Sequence, residues 1–131
     1  MSNISYLRFP LKIRNYSKIK YLSELCNNAA ADLHITPDGR FLYGSERTSS
    51  TITGFTVHPT DGTLALIGSV PTEQQPRGFN IDPSGCYVLA VGQLSHALSS
   101  YRIDAHTGQL TKLNTYPMGN NPNWVEIIAL R

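Results

Sequence analysis

The chain has 131 residues, of which 40% are hydrophobic and only 15% charged, so it allows one domain and is neither a disordered tail nor a polyelectrolyte. No apolar run approaches the roughly 18 residues of a membrane span, and the two cysteines, Cys26 and Cys86, form no disulfide framework and match no zinc spacing, which fits a reducing, cytosolic compartment. The net charge of +2 is uneven: residues 1–28 hold five basic side chains and one acid, whereas residues 29–131 hold six basic and eight acidic, a poor electrostatic match for nucleic acid.

Residues 1–28 read as a basic leader. Leu7, Phe9, Leu11 and Ile13 alternate with Arg8, Pro10, Lys12 and Arg14, the pattern of a strand that Pro10 confines to an edge. Ile19, Leu22 and Cys26 have the spacing of a short helix. The segment is poor in acids, as transit peptides are, but it lacks the apolar core and cleavage site of a secretory signal.

From Ala29 onward the chain repeats itself. Ile35-Thr36-Pro37-Asp38-Gly39 returns as Ile81-Asp82-Pro83-Ser84-Gly85, 46 residues later. The same offset links Ser49 to Ser95, Phe55 to Tyr101, Gly62 to Gly108, Pro71 to Pro117 and Pro76 to Pro122, without a gap. A third copy opens at Trp124-Val125-Glu126-Ile127-Ile128 and soon stops. The first copy predicts strands near Asp32–Thr36, Phe41–Ser45, Ile52–Val57 and Ala65–Val70. The second predicts them near Gly78–Asp82, Tyr87–Gly92, Leu98–Ile103 and Thr111–Tyr116. These segments are β-branched and aromatic, and Pro-Asp-Gly, Pro-Ser-Gly, Thr-Asp-Gly and His-Thr-Gly turns join them.

Four short antiparallel strands per repeat describe the blade of a β-propeller, and a β-sandwich is the alternative. The expected fold is therefore all-β: two four-stranded blades and the start of a third. A closed propeller needs at least about four blades, or about 184 residues at this period, more than the 131 present. The chain is thus expected to be part of a propeller, or to cover its open blade faces by self-association.

The offset also aligns polar side chains. His34, Asn80 and Glu126 share one position on the first strand of each copy, and Arg47 and Gln93 share one just after the second strand. Histidine can act as a general base near neutrality, or simply tie neighbouring strands. Glu46 beside Arg47 suggests an ion pair that would weaken the hold of Arg47 on an anion. Arg77, between Pro76 and Gly78, suits an anion or a rim salt bridge to Glu73 or Asp32. Asp38 and Asp82 fit turns, where a carboxylate braces backbone amides. The four histidines have no metal-ligand spacing, and no GxGxxG, P-loop or GxSxG string occurs.

Three strings carry a resemblance: residues 30–43 (AADLHITPDGRFLY), residues 75–82 (QPRGFNID) and residues 91–96 (VGQLSH). Together they resemble the bacterial 6-phosphogluconolactonases of the seven-bladed propeller type, in the C-terminal part of that family, while residues 1–28 show no likeness. An abrupt seam near Ala29 would suit a truncated or frameshifted gene, giving a leader (1–28) and a propeller fragment (29–131). The resemblance implies a cytosolic hydrolase of the pentose phosphate pathway that opens 6-phospho-D-glucono-1,5-lactone without metal or organic cofactor. It implies His34, Arg47 and Arg77 as catalytic candidates, and Arg77, Asn80 and Gln93 as contacts to the phosphorylated sugar lactone. Glu46 departs from the Asn or Asp usual in the family. Neither a nucleic acid nor a membrane is an expected partner. The alternative from another class is a non-enzymatic β-module that self-associates through its blade faces.

Overall fold

The computed structural model describes residues 30–122 and 125–130; the strand and helix expected within residues 1–28, and Trp124, lie outside the described residues. Eight strands follow one another: β1 (Ala30–Ile35), β2 (Phe41–Glu46), β3 (Thr51–Val57), β4 (Leu64–Pro71), β5 (Pro76–Ile81), β6 (Tyr87–Gly92), β7 (Ala97–Ile103) and β8 (Leu110–Pro117). They form two four-stranded antiparallel meanders, β1-β2-β3-β4 and β5-β6-β7-β8. Every strand boundary of the second sheet lies 46 residues after its counterpart in the first. The blade reading of the repeat is therefore correct.

The repeat extends to the irregularities. One bulge falls between Ala30 and Asp32 and again between Pro76 and Gly78. Another follows Gly54 and again Ser100. The first pair explains why β1 and β5 begin two residues earlier than expected: pairing resumes beyond the extra residue. The turn glycines Gly39, Gly62, Gly85 and Gly108 all adopt φ between 72° and 76°, as the turn chemistry requires. Asp82 accepts the amides of Ser84, Cys86 and Tyr87, and Asp38 accepts that of Arg40, so both carboxylates brace their turns.

Alternation along each strand sends one set of side chains toward the neighbouring blade. Phe41, Tyr43 and Ile52 of blade 1 meet Phe79, Ile81, Val88, Ala90, Tyr101 and Ile103 of blade 2 in one buried cluster. Leu42, Phe55 and Val57, on the opposite face of blade 1, are buried in a second. Two hydrogen bonds cross the first interface at one end of the blades: the Tyr43 hydroxyl donates to the Gly108 carbonyl at 2.5 Å, and Arg40 Nη1 donates to the Ala105 carbonyl at 2.8 Å. Within blade 1, the same Arg40 guanidinium lies 4.9 Å from the Phe41 ring centre. Gly108 is required there twice over: its φ is 73°, and a Cβ would stand 2.5 Å from the Phe41 ring.

Segment 125–130 reaches the inner edge of blade 2, where Asn80 Nδ2 donates to the Val125 carbonyl at 3.3 Å. This is the place of a third blade's first strand, although residues 125–130 form no strand.

Candidate functional site

The inner strands β1 and β5 start at the end of the blades where β2 and β6 finish, since Ala30 pairs with Glu46 and Pro76 with Gly92. The β2–β3 turn carries Arg47, the β6–β7 turn carries Gln93, and the second residue of β5 is Arg77. All three candidates therefore belong to one rim. Arg77 is the extra residue of its bulge: Pro76 pairs with Gly92 and Gly78 with Val91, leaving Arg77 without a ladder partner. Bulges are frequent beside binding sites because the additional residue leaves the regular alternation.

A repeated backbone device sets this rim. Ser50 and His96, the last residues of the two turns, adopt φ of 55° and 53°, and Gln75 and Asn121 adopt 52° and 59°. Such conformations cost a non-glycine residue about 1–2 kcal/mol, and hydrogen bonds offset the cost. The Ser50 carbonyl accepts the Thr72 amide at 2.9 Å and Ser50 Oγ accepts the Gln75 amide at 3.1 Å. In blade 2 the His96 carbonyl accepts the Met118 amide at 2.8 Å and His96 Nδ1 accepts the Asn121 amide at 2.8 Å. Each turn thereby grips the linker to the next blade.

The linker ahead of Arg77 is gripped from blade 2 as well. Gln93 and Leu94 donate their amides to the Gln75 and Gln74 carbonyls at 3.0 and 3.2 Å, and the Tyr101 hydroxyl donates to the Pro71 carbonyl at 3.1 Å. Burial first, and the Glu73 charge second, push the Tyr101 hydroxyl up to about 12, so it remains a donor at neutral pH. The segment leading into Arg77 is thus pinned between the turns that carry Arg47 and Gln93.

The expected Glu46–Arg47 ion pair does not form. The Glu46 carboxylate accepts the Thr48 amide at 2.9 Å, the Ser49 amide at 2.6 Å and the Ser49 hydroxyl. Burial alone would raise its carboxyl; the Ser49 and Thr48 hydrogen bonds outweigh that and hold it below the usual range. Arg47 has no ion pair among the described residues. Local turn geometry wins because two backbone amides lie within reach of a carboxylate at the end of β2.

His34 and Asn80 stand apart from the rim, farther along the inner strands. His34 Nε2 lies 2.9 Å from Asp32 Oδ2, and its ring meets Phe79 edge-on at 4.8 Å. Asp32 Oδ2 also accepts the Phe79 amide at 3.4 Å. Asn80 uses both ends of its amide, donating to Val125 and accepting the Ile81 amide at 2.8 Å. At the shared blade position, His34 and Asn80 therefore both reach the following copy, at Phe79 and Val125. An Asp32-oriented imidazole is equipped to move a proton. No group of three His, Cys, Asp or Glu side chains is arranged as a metal site among the described residues.

A cleft of about 630 Å³ opens at the opposite end of the blades, between Asp38, Arg40, Phe41, His58 and His106. It contains none of the rim residues, and Arg40 is already committed to blade packing. The rim is the better candidate because three elements converge on it. Sequence reading missed the linker grips, and it offered Glu73 only as a salt-bridge partner for Arg77, whereas its carboxylate meets Ser95, Ser99 and Lys112. The available signal was the 46-residue comparison itself, in which Glu46 is answered by Gly92.

Two meanders related by a blade-sized repeat, with polar turns and a linker gathered at one rim, define a segment of a β-propeller. The chain belongs to the seven-bladed β-propeller lactonase family, whose pattern it matches over residues 4–127. It is 54% identical over 100 residues to a 6-phosphogluconolactonase of Serratia proteamaculans, covering 76% of this chain and 30% of that protein. It is 54% identical over 101 residues to the 6-phosphogluconolactonase of Photorhabdus laumondii, covering 77% and 31%. Among solved structures, a Bacteroides fragilis protein described as a candidate 6-phosphogluconolactonase superposes with a TM-score of 0.73 at 30% identity, over 76% of this chain and 28% of the other. The periplasmic gluconolactonase of Pseudomonas aeruginosa gives 0.65 at 31% identity, over 70% and 26%. The chain spans about 30% of the length of the curated relatives it matches.

Proposed function

We propose that the rim is part of a site for a phosphorylated sugar lactone, and that the chain contributes to hydrolysis of 6-phospho-D-glucono-1,5-lactone to 6-phosphogluconate. The observation that carries this reading is the pinning of the Arg77 linker between the Arg47 and Gln93 turns, in a chain whose relatives are lactonases. Water adds to the lactone carbonyl, an oxyanion forms, and the ring C–O bond breaks to release a hydroxyl and a carboxylate. Arg77 and Arg47 supply guanidinium donors for the phosphate or the oxyanion. Gln93 and Asn80 bind sugar hydroxyls, and His34, oriented by Asp32, takes the proton of the attacking water and returns it to the departing ring oxygen. Neither a metal nor an organic cofactor takes part, and the reaction belongs to the cytoplasmic pentose phosphate pathway. We keep the division at Ala29, between a leader (1–28) and the propeller segment, as part of this proposal.

A misplacement of about 1 Å can cost about a hundredfold in rate, and the curated relatives are more than three times as long as their match to this chain. The 131-residue polypeptide, assayed by itself, is therefore expected to hydrolyse the lactone far more slowly than a complete relative. Arg77→Ala is expected to lower the residual rate about tenfold or more. Acid release at neutral pH, against a blank without enzyme, measures it. Residual turnover that ignores Arg77→Ala would remove the site assignment. Turnover equal to that of a complete relative would remove the claim that the site is partial.

A second reading, a self-associating module without catalysis, is favoured by one observation. Tyr87, Leu113, Tyr116 and Met118 leave 40–49% of their surface exposed. Association through this face predicts a concentration-dependent mass in light scattering; a monomer at high concentration would exclude it.

A further inference from the structure

The two turns of the rim obtain their carboxylate in different ways. In blade 1, Glu46 at the end of β2 caps its own turn through Thr48 and Ser49. The corresponding residue of blade 2 is Gly92, and the turn Gln93-Leu94-Ser95-His96 contains no acid. The carboxylate arrives from the linker instead. Glu73, only 9% exposed, accepts the Ser95 hydroxyl at 3.0 Å and the Ser99 hydroxyl, with Lys112 Nζ 3.6 Å away. Gly92 makes the room: a Cβ there would overlap Ser95 Oγ and the Glu73 Cβ, and would stand 3.0 Å from the Gln74 amide nitrogen.

Burial by itself would raise the Glu73 carboxyl. The Ser99 and Ser95 hydrogen bonds and the Lys112 charge outweigh burial and hold the carboxyl below its usual range. It is an anion at neutral pH, seated between blades, four residues before Arg77. Next to it, the Gln93 and Leu94 amides are bonded to the Gln75 and Gln74 carbonyls. The Arg47 turn takes its carboxylate from its own strand. The Gln93 turn, closed at its base by the His96 amide on the Gly92 carbonyl, takes its carboxylate from the linker that also delivers Arg77.

We propose that Glu73 is a positioning residue of the rim: its carboxylate latches the Gln93 turn to the Arg77 linker and so sets the spacing of those two segments. The consequence for binding rests on the phosphate-site reading given above; the latch itself does not. The pairing of Glu73 with Gly92 is part of the device, since a side chain at 92 removes the space in which the carboxylate crosses.

The test uses the full 131-residue chain, amide hydrogen exchange, and inorganic phosphate as the probe. Glu73→Ala is expected to accelerate exchange at Gln93 and Leu94 at least tenfold, to leave Val88 and Ala90 in β6 unchanged, and to raise the phosphate Kd at least fivefold. Glu73→Gln retains a carbonyl acceptor and is expected to fall between wild type and Glu73→Ala, which keeps the test readable should the alanine variant not fold. Gly92→Ala leaves Glu73 present but takes its space, and is expected to reproduce the alanine pattern. Unchanged exchange at Gln93 and Leu94 overturns the latch, and so does a uniform acceleration that includes β6. A loosened turn with unchanged phosphate affinity overturns the spacing role. A wild-type chain that binds no phosphate overturns the rim reading instead, and the exchange measurement then upholds or overturns the latch by itself.

Discussion

Blade 1 and blade 2 have the same backbone and different surroundings. Phe41, Tyr43 and Ile52 of blade 1 are buried against blade 2, with Ile67 and Val70 packed beside them. Their counterparts 46 residues later include Tyr87, Leu113 and Tyr116, which are 40%, 41% and 49% exposed. The repeat encodes an interface in every copy, but apolar surface contributes stability only when a neighbour removes it from water. Within one chain the same face is core in one blade and surface in the next.

The largest test of this difference compares Phe41→Ala with Tyr87→Ala, which occupy the same blade position. Phe41 is 4% exposed and packs in the inter-blade cluster. Its truncation is expected to cost about 3–5 kcal/mol in urea unfolding. Tyr87→Ala, on the half-open face, is expected to cost under about 1 kcal/mol. Equal losses would mean that the forward face of blade 2 is covered in solution.

The second comparison sets Glu46 against Glu73. Both carboxyls lie below their ordinary value of 4.5 in the folded chain. A depressed folded value adds stability that is present above the unfolded value and is lost as pH falls through the folded one. Wild type is therefore expected to lose stability as pH drops below about 4.5. Glu46→Gln and Glu73→Gln should each flatten that acid limb and cost about 1–3 kcal/mol at pH 7, where a charged acceptor is lost. The two sites differ in where the damage appears: the β2–β3 turn alone for Glu46, the turn and linker together for Glu73. An acid limb of wild-type slope in Glu73→Gln would show that this carboxylate is not ionised within the fold.

The smallest effect concerns Ser50 and His96, which grip their linkers with different acceptors. Ser50→Ala removes the bond to the Gln75 amide and should cost about 0.5–1.5 kcal/mol, with faster exchange at Gln75. His96→Ser carries the blade 1 solution into blade 2 and should change stability by under about 0.5 kcal/mol. A loss from His96→Ser as large as that from His96→Ala would show that the two grips are not equivalent.

Much of the fold was legible before any coordinates. The ungapped repeat located all eight strands, because propeller turns are short and their Gly and Pro positions are dictated by backbone geometry. Strand starts were less legible: Ala30 and Pro76 pair ahead of a bulge, and a bulge leaves no mark on hydrophobic alternation. At the site, the repeat aligned Arg47 with Gln93 and His34 with Asn80, and the structure keeps both alignments. It separates the two pairs, placing Arg47, Arg77 and Gln93 at the rim and His34 and Asn80 deeper along the inner strands. The Glu46–Arg47 pair that adjacency suggests does not form, because the carboxylate finds the Thr48 and Ser49 amides, which a charge pattern does not display.

The sequence by itself determined the blade: its period, its four strands, its turns and the direction of its apolar faces. Those properties depend on local backbone preference and side-chain alternation, which act over a few residues. Only the tertiary structure decided which face is buried, that Ser50 and His96 grip the linkers, and that Glu73 crosses to a turn whose own position 92 is glycine. Those contacts join residues about 20 or more apart through hydrogen bonds whose partners are chosen by packing, and no local pattern specifies them.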